Sequence, residues 1–211
     1  MTIEDTVEYR FSLIRQTQIN PKAGVTFATG LRSILRQDPD VIMVGEIRDH
    51  ETAEISIHAA LTGHLVLSTL HTNDAVGAVA RLLDMGVEPY LLASTLLGVV
   101  GQRLVRKICP SCQEGSRPSA EVRAHHPHLA VVYRGRGCRA CRHTGFLGRL
   151  GVFELFSVAA STRVLMAAKR PAEELARQAL AEGMCTMRAD GLKKVEQGLT
   201  TLEEVDRVVP V

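Results

Sequence analysis

VIMVGEIRD, Val41 to Asp49, decides how this chain is read. Four large apolar residues run without a polar break into Gly45, and Glu46 follows at once. A short continuous apolar run suits a strand covered on both faces of a parallel sheet. In open parallel sheets ligands sit beyond the carboxyl ends of the strands, so a glutamate directly after the run is delivered to the ligand end. Gly45 lacks a side chain there and lets another group approach closely. A solvated loop carboxylate after a core strand is the competing reading, and this stretch alone does not separate the two.

The flanks extend the pattern in both directions. Thr26 to Gln37 predicts a helix, with Phe27, Leu31, Ile34 and Leu35 on one face and Arg32 and Arg36 together on another. Asp38-Pro39-Asp40 then turns the chain, because proline disfavours helix in the residue before it. After Asp49, His50 to Leu61 is helical in pattern, His64 to Leu70 reads as a second buried strand, and Asp74 to Met85 as a helix closed by Gly86. Strand alternating with helix points to an α/β fold with a parallel sheet. Upstream, Thr2 to Glu8 reads as the end of a strand and a turn, with no earlier element to pair with.

The 211 residues, 45% hydrophobic, suffice for one good-sized domain or one with a small appendage. Aromatics are only 4%, so the core rests on aliphatic residues. Lys and Arg number 25 against 23 Asp and Glu, a net +2 that argues against a dedicated nucleic-acid binder. The first twenty residues are polar and mixed in charge, unlike a signal peptide. The most apolar segment, YLLASTLLGVVGQRLVRKI from Tyr90 to Ile108, meets Gln102 and Arg103 after about a dozen residues, short of the roughly 20 a bilayer span needs. It is read as a buried helix, and a soluble cytoplasmic protein is the expectation.

Three successive sheet elements thus bring chemistry to one edge. Glu4, Asp5 and Glu8 follow the first strand, Glu46 the second and His71 the third. With Arg32, Arg36, Arg48 and Arg81 added, the edge has what phosphoryl transfer uses: carboxylates to orient water and hold Mg²⁺ through its waters, arginines to neutralise charge on phosphate oxygens. Each arginine taken singly reads as a surface or salt-bridge residue.

Cys109-x2-Cys112 and Cys138-x2-Cys141 form two knuckles separated by 25 residues, a signature of tetrahedral zinc with no open position. Two disulfides are the competing reading, disfavoured in a cytoplasmic chain. Four thiolates on Zn²⁺ carry −2, which Arg106, Lys107, Arg139 and Arg142 are placed to offset. Cys185 is read as a packed helix residue, and His125, His126 and His128 as a polar loop tip. Helices resume from Ser161, with Glu173 to Ala181 and Met187 to Gln197, and Thr200 with Glu203 predicts a capping box for the last one.

Taken in order, these segments resemble the secretion ATPases that power type II secretion and type IV pilus assembly. ILRQDPDVIMVGEIRD is similar to their Walker B segment, TIEDTVEY to their Asp box, TGHLVLSTLHTNDA to their His box, and RLVRKICPSC with GCRACRHTGFLGRLGVFE to their tetracysteine module. The resemblance covers nearly the whole chain. It implies part of a RecA-like P-loop NTPase motor domain over residues 1–107, a tetracysteine zinc module over 108–150 and a C-terminal helical subdomain over 151–211.

The resemblance also implies roles. Glu46 is similar to the Walker B glutamate that polarises the attacking water and holds Mg²⁺ indirectly. Glu4, Asp5 and Glu8 fall in the Asp box, and His71 matches the histidine that senses the γ-phosphate region. Arg32, Arg36, Arg48 and Arg81 match positions near nucleotide or at subunit contacts. ATP with Mg²⁺ and a structural Zn²⁺ are the implied cofactors, and a homo-hexamer is the implied assembly. It would sit peripherally at the inner membrane through cytoplasmic domains of the secretion or pilus platform. The tetracysteine module steers the expectation toward export or assembly rather than retraction.

Two departures stand out. Thr6 occupies the place where the Asp box usually has proline. More consequential, the phosphate-cradling G-x-x-x-x-G-K-[S/T] loop has no counterpart, since the chain contains no Gly-Lys pair. In the resembled family that loop lies upstream of the Asp box. The expectation is therefore a C-terminal half of such an ATPase, inactive alone and aggregation-prone at an exposed sheet edge. A reading from another class is a non-catalytic zinc-containing interaction domain, binding an acidic partner or nucleic acid through the arginine-rich stretch Arg134 to Arg149.

Overall fold

The computed structural model describes residues 1–209. Strands β1 (Thr2–Glu4), β2 (Gln16–Gln18), β3 (Val41–Val44) and β4 (Leu65–Ser68) form one sheet in the order β2-β1-β3-β4. Every neighbouring pair runs parallel. β1 lies inside the sheet between β2 and β3, both of which follow it in the chain. β2 escaped notice because Gln16-Thr17-Gln18 carries no apolar residue.

Helix α1 (Phe27–Leu35) starts at Thr26, whose hydroxyl accepts from the Thr29 amide while the Thr29 hydroxyl accepts from the Thr26 amide. Helix α2 (His50–Leu61) starts at Asp49, whose carboxylate accepts from the Thr52 amide at 2.8 Å and its hydroxyl at 3.0 Å. Asp49, the last letter of VIMVGEIRD, is thus a helix cap. Both helices lie on one face of the sheet, where Ile3, Ile42 and Val44 meet Phe27, Leu31, Ile34 and Ala59. Each fully buried Leu or Ile of this set contributes about 1.5–3 kcal/mol.

The opposite face corrects an expectation. Side chains alternate along a strand, and Val41, Leu65 and Leu67 remain 43%, 44% and 50% exposed while Ile42 and Val44 are fully buried. The sheet is covered on one side by the described residues, so β3 and β4 are strands with one bare face.

Two compact units emerge from the contacts: residues 1–99 with 157–181, and 100–156 with 182–211. In the first, α3 (Gly77–Asp84), α4 (Pro89–Thr95), α6 (Ala160–Ala167) and α7 (Ala172–Ala181) follow the sheet, with α5 belonging to the second unit. Helix α4 packs on α2, α3 and α6, and α7 on α3 and α6. The predicted buried helix from Tyr90 to Ile108 is corrected: α4 ends at Thr95, Leu96 turns extended, and β5 (Gly98–Ile108) takes over. From Val99 to Val105 alternate residues are covered, the period of a strand. Among the described residues no helix is long and apolar enough to cross a membrane.

The second unit holds most of β5, then β6 (Gln113–Ser116), α5 (Ala120–His125), β7 (Val132–Gly135), β8 (Phe146–Ser157), α8 (Met187–Glu196) and α9 (Leu202–Val208). β5 pairs with β8, and β6 pairs antiparallel with β7. Leu129, Val195 and Val205 form a small core with Val122, Val132 and Leu202. Helix α9 is capped by Thr201, which accepts from the Glu204 amide. The predicted capping box on Thr200 is corrected by one residue, because the Thr200 hydroxyl donates instead to the Arg106 carbonyl at 2.9 Å.

Candidate functional site

Parallel strands place their carboxyl ends on one edge, and the side chains that follow them converge there. Glu4, Asp5, Glu8, Gly45, Glu46 and Thr69 line a hollow of about 600 Å³. Glu46 is its most enclosed acid, 9% exposed. Gly45 permits this packing: a Cβ there would stand 3.2 Å from the Ile3 carbonyl oxygen and 3.3 Å from Glu4 Cα. The close approach expected at Gly45 is that of β1, the neighbouring strand. Beyond the strand ends, Thr69 donates to the Gly45 carbonyl at 2.6 Å and Ile47 donates to that of Thr69 at 3.1 Å. These bonds carry the β3–β4 pairing outward and set His71 Nε2 3.6 Å from Glu46 Oε2. His71 itself is 89% exposed at its side chain.

Arg48 ties the acids together. Its Nε donates to Glu46 Oε2, and its Nη2 lies 3.6 Å from Asp5 Oδ2. The bond to Glu46 raises the Arg48 pKa against the opposing effect of burial. Glu4 is held within its sheet, accepting from the Thr2 hydroxyl at 2.5 Å and Gln16 Nε2 at 3.0 Å.

The remaining sequence-derived arginines lie elsewhere. Arg32 pairs with Glu51 at 2.7 Å. Arg36 closes α1 just before the start of β3, at the far end of the strands from Glu46. Arg81 is exposed on α3, and no contact joins it to the acids among the described residues. Of the four arginines, Arg48 is the one that contacts the strand-end acids among the described residues.

Residues that sequence reasoning passed over hold the loop after β1. Gln16 donates to the Tyr9 carbonyl at 2.9 Å and accepts from the Phe11 amide at 2.8 Å, while Gln18 accepts from the Val7 amide at 3.2 Å. The alternating glutamines of β2 are therefore the frame for Asp5 and Glu8. Their signal in sequence was the QTQ repeat, with side chains on the same side of the strand.

A second cluster stands in the other unit. The sulfurs of Cys109, Cys112, Cys138 and Cys141 all lie within 4.8 Å of one another, and this is the group of His, Cys, Asp or Glu that could hold a metal ion directly among the described residues. Three of the S···S separations are 3.8–3.9 Å, against about 3.8 Å for a tetrahedron with Zn–S near 2.3 Å. All five cysteines are free. The Gly137, Cys138 and Gly145 amides donate to the sulfurs of Cys112 and Cys141 at 3.2–3.3 Å. The Cys138 amide, with that of Gly145, pulls the Cys141 thiol down to about 6, while burial pushes Cys112 up to about 11. Such a donor set fits a soft divalent ion.

The two segments flanking the second knuckle approach closely at a pair of glycines. A Cβ on Gly135 would stand 2.0 Å from the Gly145 carbonyl oxygen, and Gly145 itself has φ +78°. Arg106, expected to offset the thiolates, is drawn elsewhere: its guanidinium bonds Glu204 at 2.5 Å and lies 4.2 Å above the Phe146 ring. Glu204, 2% exposed, also accepts from the Arg106 amide and from both Nε and Nη2 of Arg207. Arg207 first, then Arg106, holds its carboxyl well below the usual range against the opposing effect of burial. Cys185 sits beside α8 rather than within it, 3.7 Å from Lys193 Nζ.

Comparison with known proteins agrees with this architecture. Residues 1–207 match the Type II/IV secretion system protein family. The chain is 51% identical to Type II secretion system protein E of Pseudomonas aeruginosa over 99% of its own length and 42% of the relative's. It is also 51% identical to the type IV pilus assembly ATPase PilB of Thermus thermophilus over 97% of its length and 24% of the relative's. It therefore spans less than half of the curated relatives it matches. The crystal structure of the pilus retraction motor PilT with bound ADP superposes on it with a TM-score of 0.72 at 31% identity, covering 100% of this chain and 52% of that one. An α/β fold with a parallel sheet, acids and an imidazole at its strand ends, and a family match from end to end lead to one assignment: the chain belongs to the Type II/IV secretion system protein family.

Proposed function

We propose that this chain forms part of an ATP-hydrolysing motor subunit for type II secretion or type IV pilus assembly. The observation that carries the reading is Glu46, enclosed at the end of β3, with Asp5 lining the same hollow and His71 Nε2 3.6 Å from the Glu46 carboxylate. Bound Mg²⁺ and ATP would supply the electrophilic phosphorus and the charge that draws water to it. Glu46 would accept a hydrogen bond from that water and orient it, Asp5 and Glu46 would be the carboxylates placed to hold the ion, and Arg48 holds both carboxylates in place. Glu4 and Glu8 add negative field at the rim, and His71 responds to the phosphate end of the nucleotide. Among the described residues the acids do not form a direct metal-binding group.

The same hollow offers Arg48 as its cation and the chain has no Gly-Lys pair, so the phosphate cradle comes from outside these residues. On this reading the chain alone is inactive, and the motor is a longer protein that assembles as a hexamer. It works on the cytoplasmic side of the inner membrane through platform proteins. The division into motor portion 1–107, zinc module 108–150 and helical subdomain 151–211 is part of the proposal, with Zn²⁺ on Cys109, Cys112, Cys138 and Cys141 as a structural ion.

The test joins this chain to the remaining upstream part of the Pseudomonas relative and follows Mg²⁺-dependent phosphate release. Glu46→Gln is expected to lower the rate about 100-fold or more, the scale of losing a positioned base. An unchanged rate in that variant would remove Glu46 from the chemistry and the proposal with it.

A further inference from the structure

Charge in this chain is segregated. Residues 101–150 carry ten Lys and Arg against two Glu, a net of +8 within a protein whose total is +2. Some cations elsewhere are paired, Arg32 with Glu51, Arg170 with Glu174, Arg188 with Asp206 and Lys194 with Asp190, while others, such as Lys22 and Arg177, are exposed without an ion pair among the described residues. Around the cysteine cluster the unpaired cations are densest along the sequence. Lys107, Arg134, Arg139, Arg142 and Arg149 are all exposed, and none has an ion pair among the described residues. Arg136, beside them, has a long contact of 3.4 Å to Glu114.

The knuckle backbone fixes the base of this surface. Arg142 and His143 have φ of +51° and +60°, the left-handed region that glycine or asparagine enters most readily. The turn Cys141–Thr144 needs that conformation, closing with Thr144 N donating to the Cys141 carbonyl at 3.1 Å and His143 N to that of Cys138 at 2.8 Å. Nothing in this geometry requires the side chains of Arg142 and His143, and both are exposed.

We propose that the exposed guanidinium face around the second knuckle, built on Arg134, Arg139 and Arg142, is a docking surface for an acidic polypeptide segment of a partner protein. Charge complementarity names the occupant. Guanidinium forks match carboxylates in a planar, paired geometry, and the cysteine cluster fixes the backbone beneath them, so little order is lost on binding. Single-stranded nucleic acid is a poorer fit because its bases need free aromatic platforms. Phe146 is covered by Arg106, and Tyr133 packs against Gly115 and Gly198. The surface is separate from the strand-end acids and its use does not depend on ATP hydrolysis.

The experiment titrates the full zinc-loaded chain into a fluorescein-labelled polyglutamate peptide and reads anisotropy. Binding is expected at about 50 mM salt and weakens at least about tenfold at about 300 mM, as exposed charge pairs are screened. Arg139→Glu with Arg142→Glu weakens it about tenfold or more. Arg139→Gln with Arg142→Asn, which keeps a residue at home in the left-handed turn, also weakens it while metal content stays unchanged. Reversing Lys22 and Arg177, exposed cations of the other unit, leaves the affinity unaltered. An equal loss in that control, tighter binding of a single-stranded oligonucleotide of the same charge, or no peptide binding at low salt would each overturn the proposal.

Discussion

The sulfurs of Cys109, Cys112, Cys138 and Cys141 come from loops 25 residues apart, yet they stand within 4.8 Å of one another and collect three backbone amides. Glu4, Asp5, Glu8 and Glu46 line an open hollow of about 600 Å³, and Arg48 pairs with two of these acids, Glu46 and Asp5. One site is closed by the chain's own residues. The other gathers acids and an imidazole at the strand ends, and on the proposed reading its cationic partners come from elsewhere. The contrast teaches that a motif's presence and a site's completion are separate matters. A metal site needs only its donors at the right distance, whereas a nucleotide site needs groups from several chain segments around one ligand.

The comparison breaks most readily at the cysteines. Cys141→Ser is expected to take metal content from about one per chain to near zero and to open the knuckle to proteolysis, since structural zinc supplies on the order of 10 kcal/mol of folding free energy. Gly135→Ala should come next. Its new Cβ would meet the Gly145 backbone at 2.0 Å, where no side chain can yield, and denaturant unfolding should show a loss of about 3 kcal/mol or more.

Glu204→Gln ranks third. The buried carboxylate binds two arginines that both reach solvent, so the expected loss is about 3 kcal/mol, the low end for a broken buried pair. Its pH dependence has a definite sign. Because the folded carboxyl titrates below its unfolded value, the pairing contributes in full above about pH 4.3 and fades as the pH falls below that value. Urea unfolding should therefore show the gap between wild type and Glu204→Gln narrowing on acidification. Glu46→Gln should change stability least, by about 0.5 kcal/mol, because its partner Arg48 is 60% exposed. That variant sharpens the comparison, separating a residue kept for chemistry from those kept for folding.

Much of this was legible in the sequence for identifiable reasons. VIMVG and HLVLS read as parallel strands, and parallel strands necessarily end together, so Glu46, His71 and the Glu4–Glu8 acids could be brought to one edge before any coordinates. The cysteine pairs declared themselves by spacing. What stayed hidden depended on partners far along the chain. Glu204 is explained by Arg106, 98 residues earlier, and Arg32 by Glu51. The strand from Gly98 to Ile108 was masked by the apolar residues of α4 running straight into it, where composition cannot tell a short helix from a strand. The bare face of β3 and β4 was hidden because an apolar run does not reveal what covers it.

On the proposed reading, the cysteine site is complete among the described residues and the strand-end site is not. Phosphate release from Mg-ATP by the purified chain, measured beside Glu46→Gln and beside the zinc content of the same samples, tests it most directly. The expected result is about one zinc per chain and no phosphate release above the Glu46→Gln control. Turnover that Glu46→Gln abolishes would contradict it, and would mean that this chain holds the phosphates with its own residues.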